Sequence, residues 1–162
     1  MNFELLEKVR HKAVMFSFDF NKLENITLEI SQILYKCQIW RLKKYHRTGG
    51  LITFCGYYPP GSAGSDDAKF IQWKIEEFCD CSFPEKIDGL VVDCRQLDYV
   101  WGDDLSFYPT RHFKGNFPVL IVINPAQHEA FAGILSEAVI RFELQSTLEE
   151  MNQFFRSMKA KL

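Results

Sequence analysis

Cysteine and aspartate are the residues of this chain best placed to do chemistry, and their spacing decides how far that goes. Cys79-Asp80-Cys81 is its one close pair of cysteines. A structural zinc site wants two to four residues between its cysteines and four ligands in all, so this pair predicts no metal. Cys94 follows Asp93 at the end of an apolar run, where α/β enzymes place nucleophiles. A thiolate needs a base, and His46, His112 and His128 are scattered, so Cys94 is expected in the core. Asp93, Asp98, Asp103 and Asp104 fall within twelve residues, a density that suits Mg²⁺ shared with substrate phosphates. Neither a P-loop nor a G-x-G-x-x-G is there to hold a phosphate. The expectation is no catalytic residue, no cofactor and no metal. A small α/β enzyme using Cys94 or the aspartate cluster is the alternative.

Two further groups are weaker. Gly61-Ser62-Ala63-Gly64-Ser65 precedes a helix as an anion-binding loop would, but Asp66 and Asp67 put negative charge where a phosphate would sit. Trp40, Arg41, Lys43, Lys44 and Tyr45 combine rings with cations, yet without a confirming motif they read as an exposed strand face. The group that suits recognition is Asp98, Tyr99, Trp101, Asp103, Asp104, Phe107 and Tyr108. It joins aromatic anchors to carboxylates, the composition of a hot spot with an acidic rim.

The elements that position these residues follow from periodicity. Residues 3–12 suit a short helix, 13–20 a strand and 21–25 a turn. Gln38 to His46 and Leu51 to Tyr58 read as two strands around a Thr48-Gly49-Gly50 turn. Ser65 or Asp66 caps a helix over 68–79 with Phe70, Ile71, Trp73, Ile75 and Phe78 on its apolar face. Gly89 to Cys94 and Val119 to Ile123 are continuous apolar runs, expected as adjacent central strands. Asp103 or Asp104 would open a short helix ending near Pro109. Residues 126–135 read as a helix and 139–144 as a strand. A Ser146–Glu149 capping box would open the last helix. Strand and helix alternate, so the fold class is α/β, a mixed and mostly parallel sheet with helices packed on it. Residues 1–162 are expected as a single domain, with an N-terminal extension over 1–37 and an α/β core over 38–162.

Composition narrows the partners. With 47% hydrophobic residues, 15 Phe and a net charge of −2 the chain can build its own core. Five irregularly spaced cysteines and a start without a basic, then apolar, leader suit a cytoplasmic protein. No apolar run reaches the roughly 18 residues of a membrane span. Charge is uneven: residues 1–60 carry +4, 61–110 carry −7 and 111–162 carry +1. So acidic a middle disfavours nucleic acid and suits a basic protein partner.

From Leu51 to Phe155 the order of elements resembles a STAS domain, the fold of bacterial anti-sigma-factor antagonists. Val92-Asp93-Cys94-Arg95-Gln96-Leu97-Asp98-Tyr99-Val100 is similar to that family's strand ending in Asp. Trp101-Gly102-Asp103-Asp104-Leu105 falls where its Asp-Ser-Ser-Gly-Leu segment lies. Gly115, Val119 to Ile123, Pro125, Leu135 and Ser146 to Glu150 follow its later rhythm. The family's phosphorylatable Ser is absent, and a carboxylate at Asp103 would imitate the phosphorylated state. The resemblance implies a regulator that binds a kinase or an anti-sigma partner. Size and an acidic, aromatic-rich middle point instead to a bacterial toxin-neutralising immunity protein, expected to bind a basic toxin domain without catalysis.

Overall fold

Two short apolar runs build the centre of the sheet. Leu90-Val91-Val92 and Val119-Leu120-Ile121-Val122 are apolar at successive positions because helices cover both faces, so no alternation survives. The computed structural model describes residues 31–80, 86–102, 104–110 and 117–158. The expected elements over 3–12, 13–20 and 21–25 lie outside the described residues, as do Cys81, Asp103 and His112.

Five strands form one sheet in the order β1-β2-β3-β4-β5. β1 (Leu34–Leu42) and β2 (Arg47–Tyr57) pair antiparallel, while β3 (Gly89–Asp98), β4 (Val119–Val122) and β5 (Ile140–Arg141) follow parallel to β2. The α/β class and the adjacent central strands are as the sequence predicts. Helix α1 (Ser65–Asp80) leads from β2 to β3 and packs Ala68, Ile71, Ile75 and Cys79 with Ile52, Phe54, Leu90, Val92 and Ile121. The short α2 (His128–Ala132) adds Phe131 to this cluster. Helix α3 (Leu144–Ser157) forms a second cluster, Met151 and Phe155 meeting Leu51, Val91 and Val122. Burying a side chain such as Phe155 contributes about 1.5–3 kcal/mol. Among the described residues no helix is long and apolar enough to cross a membrane.

Several local expectations are corrected. The hairpin turns at residues 43–46, not at Thr48-Gly49-Gly50, and His46 takes the left-handed conformation at φ 50°. The two glycines lie inside β2 and make room for rings: a Cβ at Gly49 would come within 2.1 Å of the Trp40 indole. Trp40 thereby turns inward, and its Nε1–H donates to Asn152 of α3 at 2.9 Å. On α1 Ile71 and Ile75 are buried as expected, with Asp67, Ala68 and Cys79 beside them, and Phe70 and Phe78 pack partly buried against the core, while Trp73 is exposed. No helix forms over 104–110. Leu105 and Phe107 are buried and Ser106 and Tyr108 only partly so, the period of an extended segment. α1 holds that segment in place, Gln72 donating to the Tyr108 carbonyl at 2.8 Å and Glu76 accepting from Thr110. The helix expected over 126–135 narrows to a 3₁₀ turn, Pro125–Gln127, and α2.

The last helix starts three residues early. Its cap is Glu143, whose carboxylate accepts from the Gln145 and Ser146 backbone N–H groups. Ser146 turns its hydroxyl back to the Glu143 carbonyl, and Glu149 pairs with Arg156 at 3.1 Å, so the expected box is not made. The strand expected over 139–144 shortens to β5 for the same reason. Hydrogen bonds from Ser146, then from the Gln145 backbone, lower the Glu143 pKa. The Arg141 guanidinium likewise lowers Glu150. Both carboxyls bind protons more readily unfolded than folded, so their contribution is complete above the ordinary glutamate range. It is lost as pH falls through their lowered native values. Melting temperature should therefore drop on acidification below that range, and Glu150→Gln should flatten the drop. A Glu150→Gln curve parallel to the parent's would remove Glu150 from this account.

Candidate functional site

The end of β3 is fixed before anything else at this edge of the molecule. The Tyr58 N–H donates to the Asp98 carbonyl at 3.0 Å, and the Gly61 N–H to the Trp101 carbonyl at 3.2 Å. From the other side the Gln127 amide donates to the carbonyls of Leu97 at 3.0 Å and Tyr99 at 3.1 Å. Tyr99 turns under the loop, its hydroxyl donating to the Gly102 carbonyl at 2.9 Å. Its ring meets Tyr58 edge-on with centroids 5.2 Å apart and Phe131 at 4.7 Å. Segments before α1, after β3 and around α2 thus clamp one short turn.

Its outward side chains are Asp98, Val100 and Trp101. Trp101 is 54% exposed and Val100 55%, while Tyr99 between them is 2% exposed. From Gln96 onward side chains alternate out and in, and this continues into the turn: Leu97 and Tyr99 in, Asp98 and Val100 out. Trp101 rests over Gly61, where a Cβ would come within 2.6 Å of the indole and where φ is +63°. An indole seated on backbone has lost much of its freedom already, which lowers the entropy lost on binding. Gly61→Ala is expected to cost about 1–3 kcal/mol for the left-handed conformation alone. It should also displace Trp101. Urea unfolding read alongside tryptophan emission checks both, and unchanged stability would remove Gly61 from the support of the site.

Asp98, Val100, Trp101, Gln127, Glu129 and Ala130 line much of a cleft of about 620 Å³ between this turn and α2. It lies beyond the carboxyl ends of β3 and β4, where open α/β sheets bind ligands. Val100, Gln127, Glu129 and Ala130 line it from outside the predicted group. Asn124-Pro125 at the end of the β4 run was the available signal, since the segment after a neighbouring parallel strand emerges at the same edge.

The predicted interface residues separate into three groups. Asp98, Trp101 and Asp104 are exposed, Asp104 accepting from the Ser65 hydroxyl at 2.8 Å. Tyr108 is partly buried. Tyr99 and Phe107 are corrected from anchors to core: Phe107 is fully buried, its ring centroid 6.1 Å from that of Phe131, so neither can reach a partner without local unfolding. Asp103 lies outside the described residues.

The acidic middle is also partly spent inside. Asp88 pairs with Arg47 at 3.1 Å, and Asp67 accepts from the Ser31 hydroxyl. Asp93 is gripped through both oxygens by Arg95, at 2.9 Å each. Charge facing outward at the cleft comes from Asp98 and Glu129, neither of which has an ion-pair partner among the described residues.

The residues considered for catalysis do not converge. Cys94 is fully buried, and burial first, then Asp93, pushes its thiol well above the ordinary range. Burial pushes Cys79 up to about 12. Neither is poised as a thiolate. With Asp93 held by Arg95 and Asp104 bound to Ser65, Asp93, Asp98 and Asp104 do not form a cluster. Among the described residues no group of three or more His, Cys, Asp or Glu could hold a metal ion. No protein-family model, curated protein or solved structure matches the chain.

Proposed function

We propose that the chain is a non-enzymatic protein-binding domain, most specifically one that neutralises a toxin, and that it engages its partner through the turn after β3. The observation that carries this reading is Trp101, half-exposed on a turn that hydrogen bonds hold from both sides, beside the acidic cleft. A large ring held rigid at the surface is the kind of residue that dominates binding energy. The exposed carboxylates of Asp98 and Glu129 would speed encounter with a basic surface and set its orientation. No chemistry is needed for neutralisation, since covering a toxin's own site suffices.

The test is co-expression with the product of the gene immediately upstream in the source genome. Neutralisation predicts that the upstream product alone stops growth, that this chain restores it, and that the two co-purify. A non-toxic upstream product that encodes a kinase or anti-sigma factor and binds this chain would favour the STAS-like regulator instead. Growth arrest unaffected by this chain would contradict the immunity reading.

A further inference from the structure

The cleft is chemically one-sided. Its charged side chains are Asp98 and Glu129, both exposed, and no Lys, Arg or His lines it among the described residues. The Gln127 amide nitrogen is committed to the carbonyls of Leu97 and Tyr99, so what Gln127 still has to offer is its acceptor oxygen. The Tyr99 hydroxyl donates to the Gly102 carbonyl. Acceptors thus dominate the side-chain lining, and beside them stands the flat Trp101 indole. Such a lining calls for a group that is planar, cationic and rich in donors. A guanidinium has five N–H donors in a rigid fork and no acceptor, and it stacks on aromatic faces. An alkylammonium has the charge but neither the plane nor the fork. The volume is within the range of small-molecule sites, so a side chain and part of the backbone carrying it can enter together.

We propose that this cleft receives an arginine side chain of the protein partner, its guanidinium stacked on Trp101 and paired with Asp98 and Glu129. This rests on the proposed reading of the turn as the partner-binding site and names what the partner inserts there. Charge complementarity selects the occupant. A second copy of the chain is an outcome of the test, and so is a free polyamine.

The experiment uses the full chain labelled with fluorotryptophan, whose three indoles, Trp40, Trp73 and Trp101, give three fluorine resonances. Trp101→Phe assigns the third. The probes are capped Gly-Arg-Gly, its citrulline and lysine counterparts, and spermidine. The arginine peptide should move the Trp101 resonance saturably at concentrations on the order of 10 mM, and leave Trp40 unmoved. Citrulline should leave Trp101 unmoved, and lysine or spermidine should bind at least about fivefold more weakly. Asp98→Asn combined with Glu129→Gln, both exposed positions, should weaken the arginine peptide by a similar factor or more. A Trp101 resonance that ignores arginine, or that answers citrulline, lysine or spermidine equally, overturns the proposal. So does an unchanged response in the double variant, and so does a shift that grows with protein concentration in the absence of peptide. If arginine fails to bind but Trp101→Ala abolishes the partner complex, this inference falls and the partner-binding turn stands. If arginine binds while Trp101→Ala leaves the partner complex intact, the guanidinium site stands and the partner-binding reading falls.

Discussion

Truncating Tyr99 to Ala is expected to lower the unfolding free energy by about 3–5 kcal/mol, the usual cost of removing a buried aromatic ring. The ring is 2% exposed, packs between Tyr58 and Phe131, and reaches the Gly102 carbonyl through its hydroxyl. Its loss opens a cavity under the turn and frees a carbonyl that the fold had paired. Tyr99→Phe keeps the ring and should cost only about 0.5–1.5 kcal/mol, the net worth of one hydrogen bond. Trp101→Ala, two residues along, should cost a small fraction of the Tyr99 value because half its surface already faces solvent. Denaturant unfolding of the three variants measures the contrast. Equal losses at Tyr99 and Trp101 would mean that Trp101 belongs to the core and would remove the main support for a binding role.

The second large effect lies at the opposite end of the sheet. Arg47 begins β2 and Asp88 precedes β3, and their side chains are 5% and 7% exposed. Asp88 accepts from Arg47 at 3.1 Å and from the Thr48 N–H at 3.0 Å, while its own N–H donates to the Thr48 carbonyl at 2.7 Å. Asp88→Ala takes this carboxylate away from a buried guanidinium and from the Thr48 N–H together, and should cost about 3–5 kcal/mol. Arg47→Met combined with Asp88→Ala removes both buried charges of the pair, and its loss should be smaller than the sum of the two single losses. A double variant whose loss equals the sum of the single losses would show that the pair contributes no coupling.

The sequence revealed the fold's middle more readily than its edges. Leu90 to Val92 and Val119 to Val122 could be recognised as central strands because burial on both faces erases alternation, and that pattern needs no knowledge of neighbours. Gly49-Gly50 misled because glycines serve turns and close approaches equally well. What decides between them is Trp40, whose indole fills the space above Gly49. Tyr99 and Phe107 misled in the same way, since an aromatic after a strand suits either an anchor or a core. The deciding contacts come from Tyr58 and Phe131, distant in sequence. One local signal was available: Leu97, Tyr99, Leu105 and Phe107 each sit one residue from a polar or exposed neighbour, the period of extended chain. Asp98 and Trp101 were legible as outward residues, whereas Glu129 joins them only through the parallel pairing of β3 with β4.

The central claim is that Trp101 binds a partner rather than stabilising the fold. Calorimetric titration of the upstream gene product into the chain and into Trp101→Ala, with melting temperature recorded for both, tests it most directly. Binding through Trp101 requires a loss of about 2 kcal/mol or more of binding free energy, roughly 30-fold in affinity, with little change in melting temperature. Equal affinity for both proteins, or a loss of affinity that only follows a collapse in melting temperature, would contradict it.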